Sequence, residues 1–406
     1  MNPLRIALLT HSVNPRGGVV HTLELATALT ALGHDITMFV PAVRGEKLFR
    51  SPPCRVVYAP ILLPQSNTVA MVEARIDAFK RALIEHEATS FDLLHAQDSI
   101  SGNALAELKA EERIYGFIRT VHHLDRFDDA RLAAWQRRAY EDADQVLCVS
   151  EMWTSEMRST YGIDAITVPN GVDVERFSSR KREHERERVH AEDNASLRRR
   201  LGINSDGGPI VLAVGGIEAR KNTLTLLEAF AVVQRVLPRA QLVVAGGASL
   251  LDHDAYTRRL LQRAAELRLS IGPQESVVVT GPLDDAAMPA LFRSADVLAM
   301  VSLREGFGLV VLEALASGTP VVASAIAPFT EYLDDSTCYW ADPADVESIA
   351  AALLRALAAP GSSGANAIDF EHAVPALLAR FNWTASAQRH VDIYRRFVAK
   401  HAPVIN

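Results

Sequence analysis

Two glutamates flank a short glycine-containing turn in the second half of the sequence. The stretch VSLREGFGLVVLEALASGTPVVAS, residues 301–324, holds Glu305, Gly306, Gly308 and Glu313. Glycines let the backbone come close to a ligand, and the start of the predicted helix would present free N–H groups and a partial positive charge, which suits phosphate. A carboxylate alone beside a diphosphate would repel it. The glutamates therefore make sense if they bind other parts of the same ligand.

A carboxylate accepts two hydrogen bonds, so it matches a pair of neighbouring hydroxyls. Glu313 would lie about one turn into the helix, with its Cβ leaning toward the helix start, where it could bind a ribose diol. Glu305 lies before the turn and could bind hydroxyls of a sugar attached to the diphosphate. This interpretation predicts a nucleotide-diphosphate sugar. The alternative is ordinary acidic bias at a helix start plus one surface glutamate, and spacing alone favours neither.

Composition limits the class of protein. The chain has 406 residues, 49% of them hydrophobic, and a formal net charge of -7. These values predict two or three domains with full-sized cores and argue against sequence-independent nucleic-acid binding. Cys54, Cys148 and Cys338 are far apart, which is typical of a reducing compartment rather than of a disulfide or zinc framework. Without a signal-type or membrane-length segment, we expect a soluble cytoplasmic protein.

Short apolar runs alternate with amphipathic helical patterns, which predicts an α/β protein with parallel sheets covered on both faces. The alternation occurs twice, and between its two parts lies an almost wholly polar, charged stretch that predicts a solvated helix or flexible linker. We expect an N-terminal domain over 1–175, a charged linker or insertion over 176–207 and a C-terminal domain over 208–383. A terminal helix over 384–406 is expected to return to the N-terminal domain.

The stretch from Glu305 to Glu313 closely resembles the E-x7-E motif of retaining glycosyltransferases of family 4. HSVNPRGGVVHTLELATALTALGHDITMFVP, TVPNGVDVERF, VGGIEARKNTLTLLEAF and VVVTGPL resemble further segments of that family, so the resemblance covers nearly the whole chain. It implies the GT-B fold, in which two Rossmann-like domains face a cleft. It also implies transfer of a hexose from a UDP- or GDP-linked sugar to an acceptor hydroxyl, with retention at the anomeric carbon.

The resemblance implies a role for each residue around the turn. Glu313 would bind the ribose hydroxyls, and Glu305 would contact the donor sugar as part of the catalytic group. The backbone amides of Phe307, Gly308 and Leu309 would face the sugar and the phosphates.

The diphosphate would be bound by cations from another loop. Lys221 matches the family's lysine, but Gly216 stands where the family usually has an arginine. Arg220 could supply the missing charge, because a guanidinium binds phosphate in a bidentate way, or it could be a surface arginine on a loop. The resemblance also implies that the backbone from Thr280 to Leu283 contacts the nucleobase.

Residues of the N-terminal half would complete the site. Gly17 and Gly18 resemble the glycine pair that approaches the donor phosphate, although a tight turn would use them as well. RTVHH resembles the family's Thr-x-His, so His122 is expected near the reacting sugar, and His123 is the less favoured choice. His95, at the end of a predicted strand, is a weaker candidate for the acceptor site, together with His123.

Two features depart from the pattern of the family, and a third resembles a motif of a different fold. Val20 stands where the family's helix commonly carries glutamate, and residues 326–330 replace a glycine pair. The D-x-D sequences at 142–144 and 252–254 match the metal-binding motif of the other major glycosyltransferase fold. We nevertheless expect no essential metal or other cofactor, because cations and helix dipoles would stabilise the leaving diphosphate.

The expected partners are the nucleotide-diphosphate sugar and an unidentified acceptor, which is a small molecule, a glycan or a lipid. A lipid acceptor would bring peripheral membrane contact, and no nucleic acid is expected. Two alternatives stay open: a nucleotide-sugar epimerase of the same fold, and a non-catalytic protein that binds a sugar or nucleotide. The sequence does not name the donor base, the donor sugar or the oligomeric state.

Overall fold

The computed structural model describes residues 2–62, 67–178, 185–203, 207–246, 254–358 and 368–401. The chain divides into two compact units, Met1–Gly171 with Phe381–Asn406, and Val172–Arg380. No helix among the described residues is long and apolar enough to cross a membrane.

Strands and helices alternate along both units, as the apolar periodicity predicted. The strands are β1 (Arg5–Leu9), β2 (Asp35–Ala42), β3 (Arg55–Pro60), β4 (Leu93–Ala96), β5 (Ile118–Val121), β6 (Gln145–Cys148), β7 (Ala165–Thr167), β8 (Ile210–Val214), β9 (Gln241–Ala245), β10 (Val277–Gly281), β11 (Val297–Met300), β12 (Val321–Ser324) and β13 (Tyr339–Ala341). The helices are α1 (Gly17–Ala31), α2 (Thr68–Glu85), α3 (Ser99–Ala110), α4 (Ala130–Glu141), α5 (Glu151–Tyr161), α6 (Val174–Phe177), α7 (Glu185–Leu201), α8 (Thr223–Val236), α9 (Asp254–Glu266), α10 (Met288–Ser294), α11 (Leu309–Ala316), α12 (Val346–Ala358), α13 (Ala373–Arg380) and α14 (Trp383–His401).

The first unit contains a parallel sheet with the strand order β3-β2-β1-β4-β5-β6-β7. Its central strand β1 is fully buried from Ile6 to Leu9, which explains the uninterrupted apolar run in the sequence. The chain proceeds from β1 outward to β2 and β3, and then returns to the other side of β1 at β4. The sheet therefore has a topological switch point between β1 and β4, the position where such sheets bind ligands.

The terminal helix α14 belongs to the first unit and packs on α1. The ring of Trp383 meets the ring of His21 edge-on, with 5.3 Å between centroids. Gly171 lies against the backbone of Asn382 and Trp383, where a Cβ atom would collide. The predicted return of the terminal helix to the N-terminal domain is confirmed.

The second unit contains a parallel sheet with the strand order β10-β9-β8-β11-β12-β13. Its switch point lies between β8 and β11, and its core is built around fully buried residues such as Val211, Phe230 and Leu242. Part of the charged stretch forms α7, which packs against α10 and buries Leu197. Residues 179–184 and 204–206 of that stretch lie outside the described residues.

Candidate functional site

The loops that follow β8 and β11 meet at the switch point of the second sheet. Glu305 lies there between two cations, one of which, Arg220, is also 3.4 Å from a second carboxylate, that of Glu218. Lys221 Nζ is 2.6 Å from Glu305 Oε2, and Arg220 Nη1 is 2.6 Å from Glu305 Oε1. Glu305 is only 8% exposed, so its charge is balanced by these cations rather than by bulk water.

Arg220 is part of this cluster, and its contact with a diphosphate stays a prediction. Its side chain is 29% exposed and points to Glu305, and Nη1 also lies 3.4 Å from the carbonyl oxygen of Arg304. The carbonyl of Arg220 accepts a hydrogen bond from Leu303 N at 2.9 Å. The two loops are therefore joined through both the backbone and the side chain of Arg220.

Lys221 is positioned by the glycines that follow β8. A Cβ atom at Gly215 would lie 2.6 Å from Lys221 Cε, so the lysine side chain lies directly across this glycine. Gly215 has φ +121° and Gly216 has φ +77°, conformations that favour glycine. Both N–H groups donate to the Ala245 carbonyl, at 2.8 and 3.1 Å, which ties the loop to the end of β9.

Asn222 joins the two loops through its side chain. Its only signal in the sequence is weak, an asparagine directly before a helical pattern. It has φ +61° at the start of α8 and is almost fully buried. Its side-chain amide donates to the carbonyls of Val301 at 3.1 Å and Pro343 at 2.7 Å. Asn222 therefore holds the neighbouring Lys221 beside the end of β11.

The turn between the two glutamates rests on aromatic side chains from the segment after β12. Gly308 has φ +91°, and a Cβ atom there would lie 2.6 Å from the ring of Phe329. The Tyr332 hydroxyl donates to the Phe307 carbonyl at 2.9 Å, and the two rings stack with 5.0 Å between centroids. Burial, and then the charge of Glu305, raise the pKa of Tyr332 well above 10, so the hydroxyl stays a donor. Sequence reasoning missed both aromatic residues.

Helix α11 begins at Leu309, as its apolar spacing predicted, and ends at Ala316, close to the predicted stop at Gly318. Gly308 offers no capping side chain, so the first N–H groups of α11 carry the partial positive charge of a helix start. Glu313 lies one turn into the helix and is half-buried. Its contact with a ribose stays a prediction.

Thr280 and Leu283 lie at the same end of the second sheet. Thr280 is in β10, where its hydroxyl donates to the Gly281 carbonyl at 2.8 Å, and Leu283 is half-buried just after the strand. Gly246 N donates to the Gly281 carbonyl at 3.2 Å, so the ends of β9 and β10 are joined. The predicted base-binding segment therefore shares an edge of the sheet with Glu305.

In the first unit, Gly17 and Gly18 begin α1. A Cβ atom at Gly18 would lie 3.3 Å from the His122 ring, whereas Gly17 faces open space. His122 follows β5, and its Nε2 lies 3.3 Å from Gln97 Oε1. Burial, with a contribution from His21, holds the pKa of His122 well below 6.5, so this imidazole is neutral at pH 7.

His95 does not fit the predicted place in an acceptor site. It has no exposed surface, and its ring nitrogens lie 2.7 Å from Tyr394 Oη and 2.7 Å from Thr120 Oγ1. Since both nitrogens have protein partners in the core, His95 offers no open face to a ligand. His123 is exposed, and its Nε2 is 3.5 Å from Asp125.

The first D-x-D sequence has a structural explanation. Asp142 ends α4, and Asp144 accepts a hydrogen bond from Phe117 N at 3.0 Å and pairs with Lys109 at 2.8 Å. The second such sequence begins outside the described residues. In the part of the chain that the structure describes, no group of three His, Cys, Asp or Glu side chains could hold a metal ion.

Two family models match the chain. The model described as Glycosyltransferase Family 4 matches residues 15–176, and the model described as Glycosyl transferases group 1 matches residues 194–368. Together they cover most of the sequence. The chain belongs to this family of glycosyltransferases and is an enzyme of that class.

Curated relatives align over most of their length. D-inositol 3-phosphate glycosyltransferase 2 of Catenulispora acidiphila is 29% identical, over 98% of this chain and 96% of the relative. The GDP-mannose-dependent alpha-(1-6)-phosphatidylinositol monomannoside mannosyltransferase of Mycolicibacterium smegmatis is 29% identical, over 90% and 92%. Alpha-monoglucosyldiacylglycerol synthase of Streptococcus pneumoniae is 27% identical, over 88% and 79%.

Solved structures share the fold. Sucrose-phosphate synthase from Thermosynechococcus elongatus superposes with a TM-score of 0.76 at 24% identity, over 98% of this chain and 100% of that one. Anabaena HepE, solved in complex with UDP and glucose, gives a TM-score of 0.73 at 17% identity, over 97% and 100%. The two Rossmann-like parallel-sheet units thus have the GT-B fold that the resemblance implied.

Proposed function

We propose that the enzyme transfers a hexose from a nucleotide-diphosphate sugar to an acceptor hydroxyl, with retention at the anomeric carbon. The observation that carries the proposal is the meeting of Arg220, Lys221 and Glu305 at the switch point of the second sheet. Cations that converge beside a helix start are suited to a diphosphate. The donor accordingly binds to the second unit.

The ion pairs around Glu305 are compatible with donor binding. An ammonium has three N–H donors and a guanidinium has five, so Lys221 and Arg220 can each keep Glu305 and also bind phosphate oxygens. Each carboxylate oxygen accepts more than one hydrogen bond, which leaves Glu305 able to accept from sugar hydroxyls. The cations thus hold Glu305 in one orientation, and Glu313 binds the ribose.

In the proposed reaction, the bond between the anomeric carbon and the phosphate oxygen breaks, and a bond to the acceptor oxygen forms on the same face. The acceptor proton passes to the leaving nucleoside diphosphate, so charge and atoms balance. Lys221, Arg220 and the start of α11 stabilise the negative charge that develops on the leaving group. We propose that these groups make a metal ion unnecessary, and EDTA is expected to leave the rate unchanged.

Names of relatives support both a nucleotide-sugar donor and a hydroxyl-bearing acceptor. One relative is named as GDP-mannose-dependent, and a structural neighbour was solved with UDP and glucose. The relatives' names include an inositol phosphate, a phosphatidylinositol mannoside and a glucosyldiacylglycerol. We propose an acceptor that is a small molecule, a glycan or a lipid. His122, through the family resemblance, is assigned to the transferred sugar.

Calorimetric titration of UDP and GDP, without added metal, tests the donor site. One nucleotide is expected to bind the wild-type protein, and Glu313→Ala is expected to weaken it by about 10- to 100-fold, as loss of hydrogen bonds to a charged group predicts. Glu347→Ala is the matched control, because Glu347 is an exposed glutamate in the first turn of α12. Binding of neither nucleotide, or equal binding by Glu313→Ala and wild type, would overturn the proposed donor site.

A further inference from the structure

The switch point of the first sheet also carries a carboxylate, but its surroundings differ. Asp98 follows β4, and its Oδ1 accepts a hydrogen bond from Ser101 N at 2.8 Å at the start of α3. Its Oδ2 accepts from His11 N at 2.8 Å and lies 3.3 Å from His11 Nδ1. Both oxygens of Asp98 are therefore occupied by groups on the adjoining loop and helix.

Two guanidinium groups face this carboxylate, and neither is fully satisfied. Arg119 on β5 is 3% exposed, and its Nε and Nη1 have no hydrogen-bond partner. Arg75 on α2 donates from Nε to the His11 carbonyl at 3.2 Å, while its buried Nη1 has no partner. Among the described residues, no carboxylate forms an ion pair with Arg75 or Arg119.

Buried guanidinium groups without hydrogen-bond partners are unfavourable unless a ligand supplies the missing acceptors. Buried polar groups almost always have a hydrogen-bond partner, and a buried charge without one is strongly destabilising. Burial lowers the pKa of Arg119 to about 10, and Asp98 acts against that shift, so the guanidinium is charged at neutral pH. Burial alone would raise the pKa of Asp98, but His11, Ser101 N and Arg119 together hold it below its usual value.

The unmet need of this cluster is for hydrogen-bond acceptors. Arg75 is influenced by the charges of Glu46 and Asp98, and Asp98 is also influenced by Arg119. The Nη1 atom of Arg75 and the Nε and Nη1 atoms of Arg119 nevertheless have no acceptor. An oxyanion would supply acceptor oxygens to these buried N–H groups.

We propose that His11, Arg75, Asp98 and Arg119, which we call the arginine cluster, bind an oxyanion of the acceptor, either a phosphate or a carboxylate. The proposal rests on the proposed function, since the acceptor would bring this group to the enzyme. Ligands bind at switch points of such sheets, and a planar guanidinium matches the two oxygens of an oxyanion. Asp98 is a positioning residue that holds the loop after β1 through His11.

Calorimetric titration of the full chain with inorganic phosphate and with malonate tests the arginine cluster. All proteins carry Lys221→Met, so that the proposed diphosphate site does not compete for the probe. We expect one probe to bind, and Arg119→Met to weaken it by at least about tenfold, as the loss of charge-assisted hydrogen bonds predicts. Stronger binding of phosphate indicates a phosphorylated acceptor, and stronger binding of malonate indicates a carboxylate acceptor.

Two further variants keep the test decisive. Arg158→Met is the matched control, because Arg158 belongs to the same unit and forms an exposed pair with Asp164; its affinity for the probe should equal that of the parent. Arg75→Gln, at a half-buried position, should also weaken binding and replaces Arg119→Met if that variant does not fold.

If neither probe binds, or if Arg119→Met and Arg75→Gln bind like the parent protein, the arginine cluster has only a structural role and the proposal is wrong. The nucleotide titration addresses the second unit and the anion titration addresses the first. Failure of one proposal is therefore distinguishable from failure of the other.

Discussion

The two sheets have charged residues at equivalent positions, after the strands that border their switch points. The partners of these charged residues differ between the two sheets. At the switch point of the second sheet, each oxygen of Glu305 has a cation at 2.6 Å. At the switch point of the first sheet, Asp98 is occupied by backbone N–H groups and His11, so Arg75 and Arg119 keep unsatisfied donors. The cluster of the second sheet is neutralised within the protein, because Glu305 and Glu218 balance Lys221 and Arg220, whereas the guanidinium groups of the first sheet keep buried N–H groups without an acceptor.

This difference has consequences for ligand binding. In a neutralised cluster, the cations and the carboxylate hold each other in place before a ligand arrives, which reduces the reorganisation needed during catalysis. In the arginine cluster, a ligand that accepts hydrogen bonds from the unsatisfied N–H groups removes a desolvation penalty that the free protein carries. We therefore expect the second unit to position the chemistry and the first unit to select an anionic partner.

The largest effect is expected when the neutralised cluster loses a cation. Lys221→Met should lower the rate of nucleoside diphosphate release by about 10²- to 10³-fold, because the leaving group loses a charged donor. Steady-state release from the bound donor, with water as acceptor, measures this rate. Lys80→Met, which removes a lysine paired with Glu107 and Glu111 in the first unit, is the control. An unchanged rate for Lys221→Met would remove Lys221 from the mechanism.

The glycine turn beside that cluster should be the next most sensitive position. Gly308→Ala should lower the free energy of unfolding by about 1–3 kcal/mol, because a Cβ atom would strain φ +91° and approach the Phe329 ring. Urea denaturation measures the change.

Gly45→Ala is a control for the Gly308→Ala measurement. Gly45 has φ +92° and nothing within 4 Å of its would-be Cβ, so the difference between the two variants isolates the contact with Phe329. Equal destabilisation by the two variants would contradict a supporting role for Phe329.

Acid should destabilise the first unit more than the second, because the first unit buries several neutral histidines. Burial lowers the pKa of His21 to about 3 and that of His390 to about 4. It also holds the pKa values of His95 and His122 well below 6.5. The unfolded chain binds protons near pH 6.5 and the folded chain does not. The free energy of unfolding is therefore unaffected by these histidines above about pH 6.5. As the pH falls from 6.5 toward 4, it declines by about 1 kcal/mol per histidine and pH unit.

Hydrogen exchange followed by mass spectrometry measures this difference. Between pH 7 and pH 5, after correction for intrinsic exchange rates, protection should fall in α1 and α14 and persist in α8 and α12. His390→Gln should reduce the effect, because one of the titrating groups is then absent. Equal loss of protection in both units would contradict the assignment to these histidines.

The smallest effect should come from a change that keeps the charge of the second cluster. Arg220→Lys retains an ion pair with Glu305 but loses the planar fork, so nucleotide affinity should fall by less than about tenfold. Calorimetric titration with UDP or GDP measures the change. A loss as large as that caused by Glu313→Ala would mean that the fork itself binds the diphosphate in a bidentate way.

Much of the fold could be predicted from local patterns. The apolar run of β1 and the start of α11 at Leu309 follow from periodicity, and the terminal helix from its aromatic and aliphatic stripe. The candidate site was only partly accessible. Lys221 and Glu305 came from motifs, whereas the position of Arg220 beside Glu305 could not be decided, because these residues are 85 positions apart.

The alternation of strands and helices, the glycines of the turns and the types of the charged residues can be derived from the sequence, because they depend on neighbouring positions along the chain. Which charged groups are paired became visible in the folded chain. Crossover connections bring the loops after β8 and β11 together around Glu305. Packing buries His95 against Tyr394 and leaves Nε and Nη1 of Arg119 without a hydrogen-bond partner. The physical reason is that pairing and desolvation depend on distances in space, which sequence separation does not specify.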